Sequence, residues 1–332
     1  MATEPIDEQP DVDEELEDHC RVLLVRLREG RVVPFLGAGA NLCGRPKGIN
    51  WETEGYLPSG QELAEWLADK YSYRTKPPEL IRVSQWVNAI TGGDVLYTDL
   101  HELFTKQYEP TALHMMLARV PGFVRQWRKQ GTESLHQLII TTNYDDALET
   151  AFNRLGEEYD LVTYVAQGRD QGNFVHRAPD GTLRVIERPR TERKLSLVKR
   201  TVILKIHGAV DRVDPKRDSY VITEDNYIDY IARKGAPNLI PTSLMSSMRE
   251  SHFLFLGYSL GDWNLRVILQ RVWGEHPFEE RFQSWSIQLN PSKLEQKLWA
   301  ARRVDILNRD LDRYVRMLER VGLGEATGES KS

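Results

Sequence analysis

Six short apolar runs are spread through the chain at wide intervals, over residues 32–36, 138–142, 202–206, 253–256, 285–289 and 304–307. Several are almost continuously apolar instead of alternating, which is the pattern of strands buried on both faces. Helical periodicity lies between most of them, over 61–71, 80–90, 145–155, 239–249, 264–273 and 310–321. Strands that alternate with helices favour a parallel sheet covered on both sides. The expected fold class is therefore α/β, a doubly wound, mostly parallel, Rossmann-like sheet of about six strands.

Two segments interrupt this rhythm. Residues 42–131 read as a long, mainly helical insertion after the first strand. Residues 160–199 are rich in Gly, Arg, Thr and Val and read as irregular or short antiparallel structure, with a hairpin turn at Pro179-Asp180-Gly181. Residues 1–18 carry nine acidic side chains and no Lys or Arg, and are expected to be disordered. A helical pattern sets in at about residue 13 and runs to 29, with Leu16, Cys20, Leu23, Leu24 and Leu27 on one face and Gly30 as its stop. The expected organisation is one domain over 19–322 with a flexible tail over 323–332.

Composition narrows the function class. At 40% hydrophobic and 28% charged residues, the chain has the make-up of a soluble globular protein. A net charge of −5 gives no global sign of nucleic-acid or anionic-membrane binding. The two cysteines, Cys20 and Cys43, cannot build a disulfide framework or a four-cysteine zinc site, so no zinc module is expected. Cys43 reads as an inert loop thiol or a reactive one. There is no apolar stretch of the roughly 20 residues that cross a bilayer and no signal peptide. A cytoplasmic protein without membrane contact is expected.

The residues after each apolar run point to the chemistry. The first run leads into Gly37-Ala38-Gly39-Ala40-Asn41 and the second into Thr142-Asn143-Tyr144-Asp145. The third leads into His207-Gly208, the fourth into Gly257-Tyr258-Ser259, and the fifth into Asn290. Ligands of open α/β sheets bind outside the carboxyl ends of the strands. One polar strand end is ordinary loop chemistry; five together suggest a shared site. A Gly-Ala-Gly turn lets a diphosphate approach backbone N–H groups, but Leu42 stands where a dehydrogenase fingerprint has its third glycine, which disfavours hydride transfer. Asn143 and Asp145 read equally as helix caps, and Ser259 or Asp262 as a cap of the next helix. His207 sits at the same edge and has the chemistry of a general base; the other seven histidines read as structural.

These elements, in this order, resemble the sirtuin superfamily: Gly37-Ala38-Gly39, Thr141-Thr142-Asn143-Tyr144-Asp145, Ile206-His207-Gly208, Gly257-Tyr258-Ser259 and Asn290. Leu57-Pro58-Ser59-Gly60, the stretch from Val221 to Tyr227, and Leu260-Gly261-Asp262 are similar to its bacterial branch, the sirtuin-like NAD hydrolases of anti-phage defence systems. The missing zinc cysteines, and Gly44-Arg45-Pro46 in place of the deacylase sequence after the glycine turn, set the chain apart from protein deacylases. The resemblance implies NAD as substrate, no metal, and cleavage to nicotinamide and ADP-ribose that depletes NAD during infection. Asn143 would orient water or ribose, His207 accept a proton, and Asp145 hold the nicotinamide-ribose side. Gly37, Ala38, Gly39, Asn41 (where the family usually has Ser), Thr142, Gly257 and Ser259 would hold diphosphate and adenosine, and Asn290 the adenosine ribose. It also implies a homo-oligomer and a defence partner such as a translocase-type ATPase or a short Argonaute.

The alternatives are a catalytically silent NAD- or ADP-ribose-binding regulatory subunit and, less favoured, a protein deacylase or ADP-ribosyltransferase. A third is an interaction subunit whose basic insertion (Arg184, Arg188, Arg190, Arg193, Lys194, Lys199, Arg200) touches nucleic acid. A run of charge of this kind is more often a solvated face.

Overall fold

All six apolar runs become neighbouring strands of one sheet, and those at 32–36, 138–142, 202–206 and 253–256 present alternate side chains to two separate cores. The computed structural model describes residues 13–192, 194–232, 240–258, 260, 263–274 and 282–323. Residues 1–12, Arg193, Leu239 at the head of one expected helix, Ser259, Asp262 and the tail 324–332 fall outside the described residues.

The strands are β1 (Val32–Leu36), β2 (Leu138–Thr141), β3 (Tyr159–Tyr164), β4 (Phe174–Arg177), β5 (Leu183–Ile186), β6 (Thr201–Lys205), β7 (Gly208–Ala209), β8 (Ser219–Tyr220), β9 (His252–Leu256), β10 (Ser284–Ile287) and β11 (Val304–Leu307). Helices α1 (Glu14–Arg28), α2 (Trp51–Glu54), α3 (Gly60–Lys70), α4 (Leu80–Thr91), α5 (Gly93–Phe104) and α6 (Ala112–Lys129) fill the first part of the chain. They are followed by α7 (Ala147–Arg154), α8 (Glu224–Ala232), α9 (Thr242–Arg249), α10 (Trp263–Trp273), α11 (Lys293–Ala300) and α12 (Leu311–Leu323).

The main sheet has nine strands in the order β11-β10-β9-β1-β2-β6-β3-β4-β5. It is parallel from β11 through β3, and β4 and β5 are added antiparallel. The expected count of six is thus too low by β3, β4 and β5, which come from residues 159–186. Their sequences hide them: Asp160 in β3 is buried only because it meets His176 of β4 at 2.7 Å, and β5 is half-exposed. Neither gives a continuous apolar run. At the start of the chain the helix expected from about residue 13 forms, as α1, so residues 14–18 of the segment also expected to be disordered are helical. Asp13 caps α1 through the Leu16 amide and pairs with Arg309 at 2.6 Å and Arg313 at 3.2 Å. Two distant cations and a cap outweigh the local acidic repulsion.

Within β1, Val33 and Phe35 face a core shared with α8 to α11, while Val32 and Leu36 face one shared with α1, α6, α7 and α12. The chain leaves β1 for β2 on one side and returns to β9 on the other. The connections therefore diverge between β1 and β9, where a crevice opens at the carboxyl edge. The segment expected as one helical insertion divides. Helix α6 joins the layer on the sheet face, whereas α3 to α5 form a third core with Tyr144, Tyr220 and Ile222 above the carboxyl edge.

Candidate active site

The crevice is closed at one side by a seam between two glycine turns. The Gly37 amide donates to the Leu256 carbonyl at 3.1 Å, and the Gly39 amide to the Gly257 carbonyl at 2.8 Å. Gly257 has φ +65°, and a Cβ there would lie 2.0 Å from the Ala40 nitrogen. A Cβ on Gly39 would lie 2.7 Å from the Gly257 oxygen. These glycines are needed first for backbone to meet backbone.

Beside the seam lies a cavity of about 350 Å³. Its wall includes Ala38, Gly39, Asn41, Thr142, Asn143, Asp145, His207 and Gly257, all expected from the sequence to share a site. Gly37 contributes through its carbonyl, which accepts from Asn143 Nδ2 at 3.1 Å. That bond uses one N–H of the Asn143 amide and leaves its second N–H and its oxygen for a ligand. Asp145 does two things at once. Its Oδ1 accepts from the Ala147 amide at 3.1 Å, supporting the start of α7, and its Oδ2 accepts from Asn41 Nδ2 at 2.8 Å. Asn41 is thereby held with its Oδ1 buried and without a partner among the described residues. Supporting the helix start and lining the cavity are not alternatives for Asp145.

His207 is 2% exposed, and burial pushes its imidazole down to about 3, so the ring is neutral at physiological pH. Its Nδ1 lies 3.5 Å from the Tyr227 hydroxyl, and the rings of Tyr227 and Tyr230 stand edge-on to it. Its Nε2 is buried with no partner among the described residues. An unpaired buried polar atom carries a desolvation cost that a ligand can relieve, and this wall holds two, Asn41 Oδ1 and His207 Nε2.

Several contributors were not among the residues expected to form the site. The roof comes from the helical insertion: Ser59, Leu63, Leu80 and Phe104 line the cavity, and Tyr227 of α8 joins them. Beneath the floor, Lys205 at the end of β6 is 1% exposed. Its Nζ donates to the Asp145 carbonyl and, at 2.7 Å, to Glu149 Oε1. Burial holds the Glu149 carboxyl above its usual range, against the opposing pull of Lys205. The only sequence signal was a lysine closing an otherwise apolar run.

Asn290 does not line the cavity; it is exposed, with φ +53°, and its amide donates to Asn308 Oδ1 at 2.8 Å. A second cavity of about 280 Å³ lies across the seam, sharing Gly39, Gly257 and Tyr258 with the first and reaching Leu289, Arg309 and Asp312. Cys43 is buried and donates to Asp312 at 3.0 Å, and its thiol is pushed up to about 12 by burial and by that carboxylate, so it is not a reactive loop thiol. In the basic insertion Arg184 pairs with Glu192. Among the described residues no group of three or more His, Cys, Asp or Glu is placed to hold a metal, and no described helix is long and apolar enough to cross a membrane.

A doubly wound sheet with a polar cavity at its switch point defines the class of α/β proteins that bind ligands outside the carboxyl ends of their strands. The SIR2-like domain family matches residues 137–307, from β2 to the end of β11, and the chain belongs to that family. Among curated proteins it is similar to the NAD(+) hydrolase ThsA of Acinetobacter baumannii (strain 532279), 27% identical over 253 residues, covering 75% of this chain and 41% of that protein. It is also similar to the NAD(+) hydrolase ThsA of Enterococcus faecium, 24% identical over 258 residues, covering 76% and 43%. A shorter match, 24% identical over 161 residues and covering 48% and 13%, is to Defense-associated sirtuin 2 of Bacillus subtilis. The chain thus spans less than half the length of each of these relatives.

Proposed function

We propose that this protein is an NAD glycohydrolase that cleaves the bond between nicotinamide and ribose, releasing nicotinamide and ADP-ribose, and that it serves anti-phage defence by depleting NAD. The observation that carries this reading is the meeting of Asn41, Asn143, Asp145 and His207 on one cavity at the switch point, with two buried polar atoms there that have no partner among the described residues. The names of the similar hydrolases and of the defence-associated sirtuin support it. In this reading the reacting ribose occupies the cavity at Asn143 and His207. The diphosphate passes the Gly39–Gly257 seam, and the adenosine end takes the second cavity.

The nicotinamide ring of NAD is cationic. When the glycosidic bond breaks, its electron pair goes to the ring nitrogen, and the ring leaves neutral without a general acid. Positive charge develops on the ribose as an oxocarbenium-like transition state, to which the Asp145 carboxylate is the nearby complement. Water then bonds to C1′ and loses a proton, so NAD⁺ and water give nicotinamide, ADP-ribose and H⁺. The Asn143 oxygen and His207 Nε2 orient the ribose hydroxyls or the water. Because the imidazole is a weak base when buried, it directs the proton outward and does not retain it.

Nicotinamide release by the wild type, Asn143→Ala and His207→Ala, at several protein concentrations, tests the reading. Loss of an orienting or proton-accepting group should lower turnover by about 10²–10⁴-fold, and specific activity that rises with concentration would show activation by assembly. The low basicity of His207 favours one second reading, an NAD- or ADP-ribose-binding regulatory subunit. Calorimetric NAD binding with no nicotinamide released at any concentration would select it.

A further inference from the structure

We propose that Lys205 is a positioning residue for the reaction, holding the Asn143–Asp145 loop from below. The inference rests on the NAD-cleaving reading of the cavity above it. A lysine at 1% exposure in the middle of a parallel sheet is costly, since a charge taken out of water is repaid only by good partners. Here the ammonium has two: Glu149 Oε1 at 2.7 Å and the main-chain carbonyl of Asp145. Glu149 keeps its other oxygen buried and without a partner among the described residues, so the pair is not built for maximal stability.

The carbonyl contact gives the arrangement its direction. Asp145 is gripped at three points: its carbonyl by Lys205, its Oδ1 by the Ala147 amide, and its Oδ2 by Asn41. Through Asp145 the ammonium fixes Asn41, which lines the cavity from the other loop and whose Oδ1 is buried without a partner among the described residues. Lys205 lies two residues before His207, and β6 pairs with β2 at Thr141↔Lys205. One side chain therefore ties together the strand that carries the histidine, the loop that carries Asn143 and Asp145, and the turn that carries Asn41. Lys205 itself does not line the cavity.

Two variants test this: Lys205→Met, and Lys205→Met/Glu149→Leu, which removes both charges. Replacing a buried ion pair with apolar residues of similar size is often neutral or stabilising, so the double variant should recover the thermal midpoint even if the single one unfolds. A one-ångström misplacement can cost on the order of 10²-fold, so kcat should fall by about that factor in the double variant, with KM for NAD within about threefold of the wild type. Hydrogen exchange gives a readout independent of turnover. The amides of Asn143 and Ala147 should exchange about 10–100-fold faster in both variants, as losing a hydrogen bond to a charged group implies, while β1 and β9 keep their protection. A double variant that regains stability and activity together would reduce Lys205 to a structural role and overturn the proposal. Unchanged exchange at Asn143 and Ala147 would overturn it as well, whether or not the wild type releases nicotinamide. Absence of nicotinamide from the wild type alone would refute the hydrolase reading and leave the exchange measurement to decide the positioning one.

Discussion

Asn41 and Asp145 stand 104 residues apart in the chain and meet side chain to side chain, Nδ2 to Oδ2, at 2.8 Å. The bond joins the turn after β1 to the loop after β2, and both residues are buried at the cavity wall. It explains why Asn can occupy this position: a serine hydroxyl is shorter and offers a single donor, whereas the amide gives its nitrogen to Asp145 and keeps its oxygen for a ligand. Asn41→Ala leaves the Asp145 oxygen unpaired, and an unsatisfied buried group costs about 1–3 kcal/mol. We expect a lower thermal midpoint with a larger proportional loss of nicotinamide release. Asn41→Asp sets carboxylate against carboxylate and should be worse on both counts. A variant with full turnover would show that the bond is incidental to the site.

The glycine seam makes a sharper stability prediction. At Gly257 a side chain meets two obstacles, φ +65° and backbone 2.0 Å from the Cβ position. The left-handed conformation alone costs about 1–2 kcal/mol for a residue with a Cβ, and the clash must be relieved by parting β1 from β9 at their carboxyl ends. Gly257→Ala should therefore unfold several degrees lower and bind NAD measurably more weakly by calorimetry. Gly48→Ala is a control for conformation without a clash, since Gly48 has φ +77° and open space around its Cβ position. Equal losses in the two variants would show that the seam adds nothing beyond backbone strain.

What could be read from sequence divides along a physical line. Strands β1, β2, β6 and β9 announced themselves because burial on both faces demands nearly continuous apolar residues, and the polar ends of these four converge as expected. The strands missed are those whose burial depends on partners far along the chain: Asp160 is tolerated in β3 only opposite His176. The roof was illegible for a related reason. The periodicity of α3 to α5 specifies an apolar face but not that this face docks on Tyr144 and Tyr220. Ser59, singled out only within Leu57-Pro58-Ser59-Gly60, caps α3 by accepting from the Glu62 amide while also lining the cavity. Asn290 shows the opposite limit. A residue of the right type at a strand end is turned to solvent by its φ of +53° and its bond to Asn308.

Buried histidines set the acid limit of the fold. Burial lowers His114 to about 4 and His207 to about 3, whereas in the unfolded chain both titrate near 6.5. The folded state thus refuses protons that the unfolded state accepts below pH 6.5. The stability they contribute is complete above that pH and is lost as pH falls from about 6.5 toward 4 and 3. Between pH 7 and 5 each should cost about 2 kcal/mol as an order of magnitude. Urea midpoints at the two pH values measure the loss, and His207→Asn, which cannot titrate, should flatten the dependence by its share. A midpoint constant from pH 7 to 5 would mean that these rings are hydrated in solution.

The same neutrality shapes catalysis. If His207 acts as a neutral hydrogen-bonding group, kcat for nicotinamide release has no acid limb at the ordinary histidine value. It should stay flat from about pH 8 down to about pH 5.5 in assays short enough to precede acid unfolding. A His207 that titrated freely would halve kcat near pH 6.5 and lower it about tenfold for each further pH unit. The Tyr227 hydroxyl, 3.5 Å from Nδ1, offers a way to separate geometry from basicity. Tyr227→Phe keeps the edge-on ring contact that helps to bury the imidazole, so the profile should remain flat while kcat falls only severalfold, as loss of one weak hydrogen bond implies. Opening the wall with Tyr227→Ala admits water to the ring, raises its basicity, and should bring an acid limb into the measurable range. A wild-type profile that already showed such a limb would place a titrating imidazole in the reacting enzyme, and His207 would then be a proton acceptor in full, not an orienting group.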